Sequence, residues 1–197
     1  MIVDLEHPFK LRCIDPIALL QGCYKLNTFI SRVEKQAKRY GDGEDVDKYK
    51  GWALELFAEF LIKSHPMDKR LGISDYEVVG EDDDTGVDGY GKGSNGEPAT
   101  VQIKYRPANY VLAGHEDHLF SFTTASWLKY GVKNDGAKNM LLITTGKDLH
   151  WHTDQNMFQK TVRVLNREKL RVIVDNNKPF WDGLLESWLA SLPKRKI

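Results

Sequence analysis

The sequence contains few cysteines, no long apolar run and no excess of either charge. Cys13 and Cys23 are the only two cysteines among 197 residues, and no CxxC pair is present, so neither a zinc knuckle nor a redox motif is predicted. No segment reaches the roughly 18 apolar residues that a membrane span needs. The N-terminus also lacks the basic and apolar regions of a signal peptide. These absences predict a cytoplasmic protein with no membrane segment.

The charges balance, with 28 Lys and Arg against 28 Asp and Glu. This balance argues against a protein that coats nucleic acid by charge alone. It still allows an acidic metal pocket to lie beside a basic groove. The hydrophobic fraction of 41% is sufficient for a packed core, so a folded chain is expected.

The order of predicted elements indicates an α/β fold. A helix is expected to begin at Asp15-Pro16, where Asp is the cap and Pro the first helical residue. Hydrophobic periodicity and turn residues predict the helices 16–40, 46–64, 121–130 and 179–192 and the strands 76–79, 87–91, 100–106 and 140–145. This order predicts a mixed central sheet flanked by helices, with an added N-terminal helix.

A strand–turn–strand segment contains the residues that point to chemistry. Side chains alternate along a strand, so Gln102 and Lys104 share one face of their strand, while Ile103 takes the other face with its apolar neighbours. If the strand that contains Asp88 pairs with this one, Asp88 reaches the same place. A carboxylate, an amide oxygen and an ammonium are then brought together, which packing alone does not explain.

These residue types suit metal-assisted phosphodiester hydrolysis. Mg²⁺ prefers oxygen ligands and keeps several waters, so one or two carboxylates suffice to bind it. We expect Asp88, the Gln102 amide oxygen and the Ile103 carbonyl to be metal ligands. The metal would acidify a bound water and offset charge on the phosphate. Lys104 would orient or deprotonate the attacking water, or stabilise the transition state.

The second predicted helix offers a further carboxylate. The stretch from Trp52 to Ile62 is apolar almost all round, which is typical of a buried helix. Glu55 lies opposite the broadest apolar face and is expected to point into a cleft. Glu59, one turn later, competes for the same role, and the sequence favours Glu55 only weakly.

Together these motifs resemble the PD-(D/E)xK nuclease superfamily. Gly51 to Glu55, then Gly86-Val87-Asp88, then Gln102-Ile103-Lys104 are most similar to the Mrr-like group, in which Gln replaces the usual acid. The resemblance implies a restriction-endonuclease-like fold and a Mg²⁺-dependent endonuclease acting on DNA, with Mn²⁺ as a substitute metal. Glu55 would then be the helix acid and Lys104 the catalytic lysine. Because a neutral amide is a weaker ligand than a carboxylate, modest metal affinity is expected.

The resemblance covers only part of the chain. It implies a nuclease-like domain over residues 46–192, preceded by an N-terminal helical extension (1–45) and followed by a basic tail or linker (193–197). In related large proteins such domains are fused ahead of a helicase, so a fused or partner helicase, or a homodimer, is compatible with this chain.

Several alternatives remain open from the sequence. A nucleic-acid-binding module with the same fold but weak or absent catalysis is the main one. A calcium-stabilised domain is another, based on the acidic residues 82–84 and Asp88, although the residue at the twelfth loop position is Asn95 instead of Glu. A set of lysines near two tryptophans is compatible with either a nucleic-acid groove or an ordinary solvated surface: Lys129, Lys133, Lys138 and Lys147, with Trp127 and Trp151.

Overall fold

The computed structural model describes residues 2–66, 68–80, 86–133, 136–150 and 161–192. Its helices and strands alternate in the second half of the chain, as expected for an α/β protein. In chain order they are α1 (Pro8–Cys13), α2 (Pro16–Leu20), α3 (Leu26–Tyr40), α4 (Glu44–Ser64), β1 (Ile73–Val78), β2 (Gly89–Gly93), β3 (Pro98–Lys104), β4 (Val111–Leu112), α5 (Leu119–Leu128), β5 (Met140–Thr144), β6 (Asp148–Leu149), β7 (Val162–Leu165), α6 (Arg167–Val174) and α7 (Lys178–Ser191).

The chain divides into two compact units. The first unit contains residues 1–64 and 169–197, and the second contains residues 65–168. The boundary expected at residue 45 falls within the first turn of α4. Residues 193–197, expected as a basic tail or linker, lie outside the described residues. No helix in the described ranges is both long and apolar enough to cross a bilayer.

The prediction of one helix over residues 16–40 is wrong. The structure has α2 and α3 there, separated by residues 21–25, and α1 precedes both. Gly22 lies in this break with a φ of +63°, a backbone conformation that glycine adopts without the steric cost other residues meet. Arg32 of α3 donates hydrogen bonds from Nη1 to the carbonyls of Leu19 (3.0 Å) and Gln21 (2.7 Å). These bonds satisfy carbonyl groups that the end of α2 leaves unpaired.

The core of the first unit is aromatic and surrounds α4. The helix predicted at residues 46–64 is confirmed, and most of its residues from Ala53 to Ile62 are buried. Phe57 stacks on Phe29 of α3 with a centroid distance of 5.4 Å, and it contacts Trp181 of α7 at 5.9 Å. The Trp181 indole donates a 2.7 Å hydrogen bond to the Val174 carbonyl, so the C-terminal helices are anchored to the same core.

The second unit is built on a mixed five-stranded sheet with the order β1-β2-β3-β5-β7. The strands β1, β2 and β3 pair in antiparallel fashion, whereas β3, β5 and β7 are parallel. A separate two-stranded sheet pairs β4 with β6. All five residues of β5 are buried, which confirms the prediction of a strand covered on both faces. The mixed α/β sheet expected from the sequence is therefore present.

One face of this sheet is covered by α5. Leu119 and Phe122 of α5 are fully buried in a hydrophobic cluster that also contains Val87, Met140 and Leu142. In register, Thr100 lies beside Met140 and Gln102 beside Leu142. The side chains of Thr100 and Gln102 therefore lie on the sheet face that carries this cluster.

Candidate active site

Asp88 is held at the start of β2, between β1 and β3. Its N–H donates to the Val101 carbonyl at 2.8 Å, and its own carbonyl accepts from the Val79 N–H at 3.1 Å. The carboxylate oxygen Oδ2 accepts the Ile103 N–H at 2.5 Å. The Asp88 carboxylate therefore lies against the peptide bond between Gln102 and Ile103.

Gln102, in the middle of the central strand β3, is completely buried. Neither its amide oxygen nor its amide nitrogen has a hydrogen-bond partner among the described residues. A buried polar group without a partner costs about 1–3 kcal/mol, and such groups are rare in native proteins. The Gln102 amide is thus an orphaned polar group beside the Asp88 site.

Gly86 lies close to this amide. A Cβ atom at Gly86 would lie 3.4 Å from the Gln102 Nε2 and 3.7 Å from the Phe122 backbone nitrogen. The Gly86 φ of +74° is also one that residues with a side chain rarely adopt. The positive φ explains the glycine two residues before Asp88, because the two distances are ordinary van der Waals contacts that a Cβ would tolerate.

Lys104 is the last residue of β3 and is partly exposed. Its carbonyl accepts hydrogen bonds from the Thr144 hydroxyl at 2.8 Å and the Thr145 N–H at 3.3 Å. Within the described ranges, no hydrogen bond or ion pair is formed by the Lys104 ammonium. Its backbone is therefore fixed by the end of β5, while its charge is available to a ligand.

The Ile103 carbonyl points toward the same place as the Asp88 carboxylate. Because the N–H and C=O of one residue point to the same edge of a strand, and the Ile103 N–H contacts Asp88, its carbonyl is also directed to that edge. The candidate oxygen ligands are therefore the Asp88 carboxylate and the Ile103 carbonyl at this edge, together with the buried amide of the neighbouring Gln102.

Such a set of oxygens fits Mg²⁺ better than a softer metal. Mg²⁺ binds one or two carboxylates together with neutral oxygens and waters, whereas zinc sites in proteins draw mostly on thiolates and imidazoles. In the part of the chain that the structure describes, no three His, Cys, Asp or Glu side chains gather into a metal-binding group. A cation here would therefore depend on the amide and peptide oxygens as well as on Asp88.

The two candidate helix acids lie in the first unit, whereas Asp88, Gln102 and Lys104 lie in the second. Glu55 forms an ion pair with Lys10, and its side chain is 19% exposed. Glu59 is completely buried, and its Oε1 accepts from the Lys63 ammonium at 2.7 Å and from the Glu6 N–H at 2.8 Å. Burial raises the pKa of Glu59. Of the two, Glu55 is the more accessible carboxylate.

His7 belongs to the same buried group in the first unit. Its Nε2 lies 3.7 Å from the Glu59 Oε2. Burial, together with the positive charges of Lys10 and Lys63, lowers the pKa of His7 to about 3. His7 is therefore neutral at physiological pH, and the segment from Glu6 to Lys10 is attached to α4 through charged and polar contacts.

After β3 the structure contains an ion pair with a buried carboxylate, which the sequence analysis did not predict. Arg106 donates from Nε to Asp117 Oδ1 at 2.6 Å, and Asp117 is completely buried. The other carboxylate oxygen accepts from the Ala113 N–H at 2.8 Å and the Tyr110 hydroxyl at 3.3 Å. The Thr145 hydroxyl bridges to the N–H and carbonyl of Arg106. This network fixes the loop that leaves the site, and no periodic pattern in the sequence indicates it.

A second missed contact attaches α5 to β3. The hydroxyls of Thr100 and Ser126 lie 2.8 Å apart, and both residues are completely buried. Ser126 also donates to the Phe122 carbonyl at 2.7 Å. The buried hydroxyl of Thr100, two residues before Gln102 on the same face of β3, is thus satisfied, whereas the buried Gln102 amide is not.

The lysines considered for a nucleic-acid groove include two that contact other side chains. Lys133 forms an ion pair with Glu97 at 3.0 Å, and the Lys129 ammonium lies over the Tyr130 ring at 5.6 Å. Trp151 and the acidic residues 82–84 lie outside the described residues.

Comparison of the chain with models of known protein families and with curated proteins finds no match.

Proposed function

We propose that the chain is a metal-dependent endonuclease domain that hydrolyses DNA phosphodiester bonds. One observation carries the proposal: the completely buried Gln102 amide has no partner among the described residues, although it lies in the central strand beside Asp88. An orphaned buried amide lowers the stability of the fold. The presence of glutamine at this position has a physical reason if its amide oxygen serves as a ligand.

The proposed site uses each residue for one purpose. The Asp88 carboxylate, the Gln102 amide oxygen and the Ile103 carbonyl would hold Mg²⁺ or Mn²⁺. The bound metal would supply an acidified water and offset charge on the scissile phosphate. The Lys104 ammonium would orient that water or stabilise negative charge that develops on the phosphate. Glu55 enters only through the resemblance to PD-(D/E)xK nucleases.

The topology supports a restriction-endonuclease-like interpretation of the fold. A long helix, α4, precedes three strands that pair in antiparallel fashion, and α5 then leads to β5, which is parallel to β3. In this arrangement Asp88 and Gln102-Ile103-Lys104 stand on neighbouring strands, as the resemblance implies.

The proposal is tested by nicking of a supercoiled plasmid in Mg²⁺ or Mn²⁺. We expect Lys104→Ala and Asp88→Asn each to lower the nicking rate by at least 100-fold, on the order of what loss of one transition-state-stabilising group costs. Lys92→Ala is the matched control, because Lys92 lies on the adjacent strand β2 and is 61% exposed in an ion pair with Asp75. Its nicking rate should equal that of the unmodified chain.

The outcome that contradicts the proposal is equally specific. Nicking that survives in both Lys104→Ala and Asp88→Asn would show that the activity comes from elsewhere. Circular dichroism of each variant separates loss of chemistry from loss of the fold. Since one site cuts one strand, cleavage of both strands would require two copies of the chain or two successive cuts.

A nucleic-acid-binding module without catalysis is the second candidate. The complete burial of Gln102 counts against catalysis but not against DNA binding, because a ligand oxygen with no exposed surface needs a local rearrangement before it meets a hydrated ion. Such a module would bind DNA in a salt-dependent manner, bind no Mn²⁺ at Asp88 and show no metal-dependent nicking. Electron paramagnetic resonance of Mn²⁺ titrated into the chain and into Asp88→Asn distinguishes the two candidates.

A further inference from the structure

A groove with a volume of about 430 Å³ lies along α2 and α3 of the first unit. Its α3 wall carries three cationic side chains, Arg32, Lys35 and Arg39. These residues are three and four positions apart, so they lie on one side of the helix. The groove is therefore lined along one wall by positive charge, at a place that the proposed active site does not use.

The positive charge of this wall is not neutralised by carboxylates. In the described ranges, Arg32, Lys35 and Arg39 form no ion pair. The groove lining contains one acid, Asp15, whose Oδ1 already accepts the N–H groups of Ile17 (3.0 Å) and Ala18 (3.2 Å) as the cap of α2. The groove thus has two more positive than negative charges.

Arg32 is held in place while the other two cations are exposed. Its Nη1 donates to the carbonyls of Leu19 and Gln21, which position the guanidinium but carry no net charge. Lys35 and Arg39 are exposed, and the neighbouring Gln36 adds an amide to the same wall. A fixed guanidinium beside two exposed cations and an amide is a donor set suited to phosphate oxygens.

The distribution of charge on α3 argues against an ordinary solvated helix. Lys38 and Glu34 are exposed on the same helix but do not line the groove. Glu34 thus lies outside the groove. Of the four cationic side chains between residues 32 and 39, three line the groove.

We propose that this groove binds the phosphodiester backbone of DNA. The choice of DNA as the ligand rests on the proposed nuclease function, whereas the site is separate from Asp88, Gln102 and Lys104. The seven helical steps from Arg32 to Arg39 span about 10 Å. A DNA strand carries one phosphate per about 3.4 Å of helix axis, so three cations over this length match about three phosphates.

The test is the salt dependence of DNA binding without metal. A fluorescein-labelled 20-base-pair duplex is titrated with the full chain in EDTA between 50 and 200 mM salt, and binding is read by anisotropy. Lys35→Gln/Arg39→Gln removes two groove cations. Lys25→Gln/Lys38→Gln is the matched control, because it removes two exposed cations of the same unit that do not line the groove. Circular dichroism verifies that both variants fold.

Loss of two phosphate contacts should lower the slope of log K against log salt by about 1.8 and weaken binding about 30-fold at 0.15 M salt. The control variant should keep the slope of the unmodified chain. Equal losses in the two variants would overturn the inference, since binding would then follow net charge alone. An unmodified chain that binds no DNA in EDTA, or that binds anionic lipid vesicles through Lys35 and Arg39 instead, would also overturn it.

Failure of this inference is distinguishable from failure of the nuclease proposal. The binding test contains no metal and leaves Asp88 and Lys104 unchanged. A chain that nicks DNA through Lys104 while its groove variant binds normally refutes the groove alone. A chain that binds through the groove but never nicks DNA refutes the nuclease alone.

Discussion

Replacing Gln102 with methionine is expected to stabilise the protein while it abolishes metal-dependent cleavage. Methionine is similar in length to glutamine and adapts well to buried sites. The change removes two buried polar atoms that have no partner in the described part of the chain. One unsatisfied group costs about 1–3 kcal/mol, so we expect the free energy of unfolding to rise by about 1–3 kcal/mol in EDTA.

Denaturant titration in EDTA, followed by tryptophan fluorescence, measures this change. A rise of 1–3 kcal/mol corresponds to an increase in Tm of roughly 2–12 °C for a protein of this size. Ser126→Ala is the control with the opposite sign. Ser126 contacts the same face of β3 but bonds to Thr100 at 2.8 Å, so its removal leaves a buried hydroxyl unpaired and should cost about 1–3 kcal/mol.

Destabilisation of Gln102→Met by 1 kcal/mol or more would refute the reasoning. It would mean that the Gln102 amide is hydrogen-bonded in the folded protein and needs no ligand to account for it. The main support for a metal at this position would then be lost. A stabilised Gln102→Met variant that still nicks plasmid would instead remove Gln102 from the catalytic site and leave Asp88 and Lys104 to be tested alone.

Two further predictions concern stability. Asp117→Ala should lower the free energy of unfolding by about 2–4 kcal/mol, because Arg106 loses its buried partner. Glu97→Gln is the control: it breaks an exposed pair with Lys133 and should lower the free energy of unfolding by less than about 1 kcal/mol. A smaller loss for Asp117→Ala than for Glu97→Gln would contradict the assigned network. The pKa of His7 is lowered from 6.5 to about 3, so the unfolded chain binds a proton that the folded chain does not. Stability should therefore fall as the pH drops below 6.5, by about 2 kcal/mol at pH 5. Denaturation of His7→Gln at pH 8 and pH 5 should lack this part of the loss, and an unchanged pH dependence would contradict it. The raised pKa of Glu59 acts in the opposite direction, but it is common to both proteins in that comparison.

The elements with a clear hydrophobic pattern were predictable from the sequence. The buried helix α4 and the strand β5 consist of long apolar stretches bounded by polar or turn residues, and both occur within a few residues of the expected positions. The alternation of β3 likewise predicted that Gln102 and Lys104 share a face. Such patterns are visible because burial imposes the period of the element on the sequence.

The N-terminal helices and the small sheet were not predictable for different reasons. Apolar residues keep a helical spacing across the break at Gly22, so periodicity could not separate α2 from α3. Strands β4 and β6 have two residues each, which is too short for any alternation. The strand predicted over residues 87–91 ends too early, since β2 continues to Gly93.

The candidate site could be predicted only in part, because some of its features depend on tertiary contacts. Residue type and strand context make Asp88 and Lys104 candidate site residues from the sequence alone. The orphaned state of the Gln102 amide depends on what surrounds it in three dimensions, and the contact of Arg106 with Asp117 joins two loop residues eleven positions apart. Hydrophobic periodicity and local motifs in the sequence do not indicate such tertiary contacts.

The position of β3 in the sheet determines which length changes the molecule can accept. Neighbours that run in opposite directions hold this strand along both edges, so a slip of one residue would break two ladders together. Such a slip would also turn Gln102 and Lys104 to the opposite face. Additional residues in the turn after Gly93 would disturb the 2.9 Å hydrogen bond from the Asn139 amide to Asn95, but they would not turn any residue of β3 to the other face, and a longer surface loop has a small entropic cost. An insertion in that turn is therefore expected to be tolerated better than one between Gln102 and Lys104.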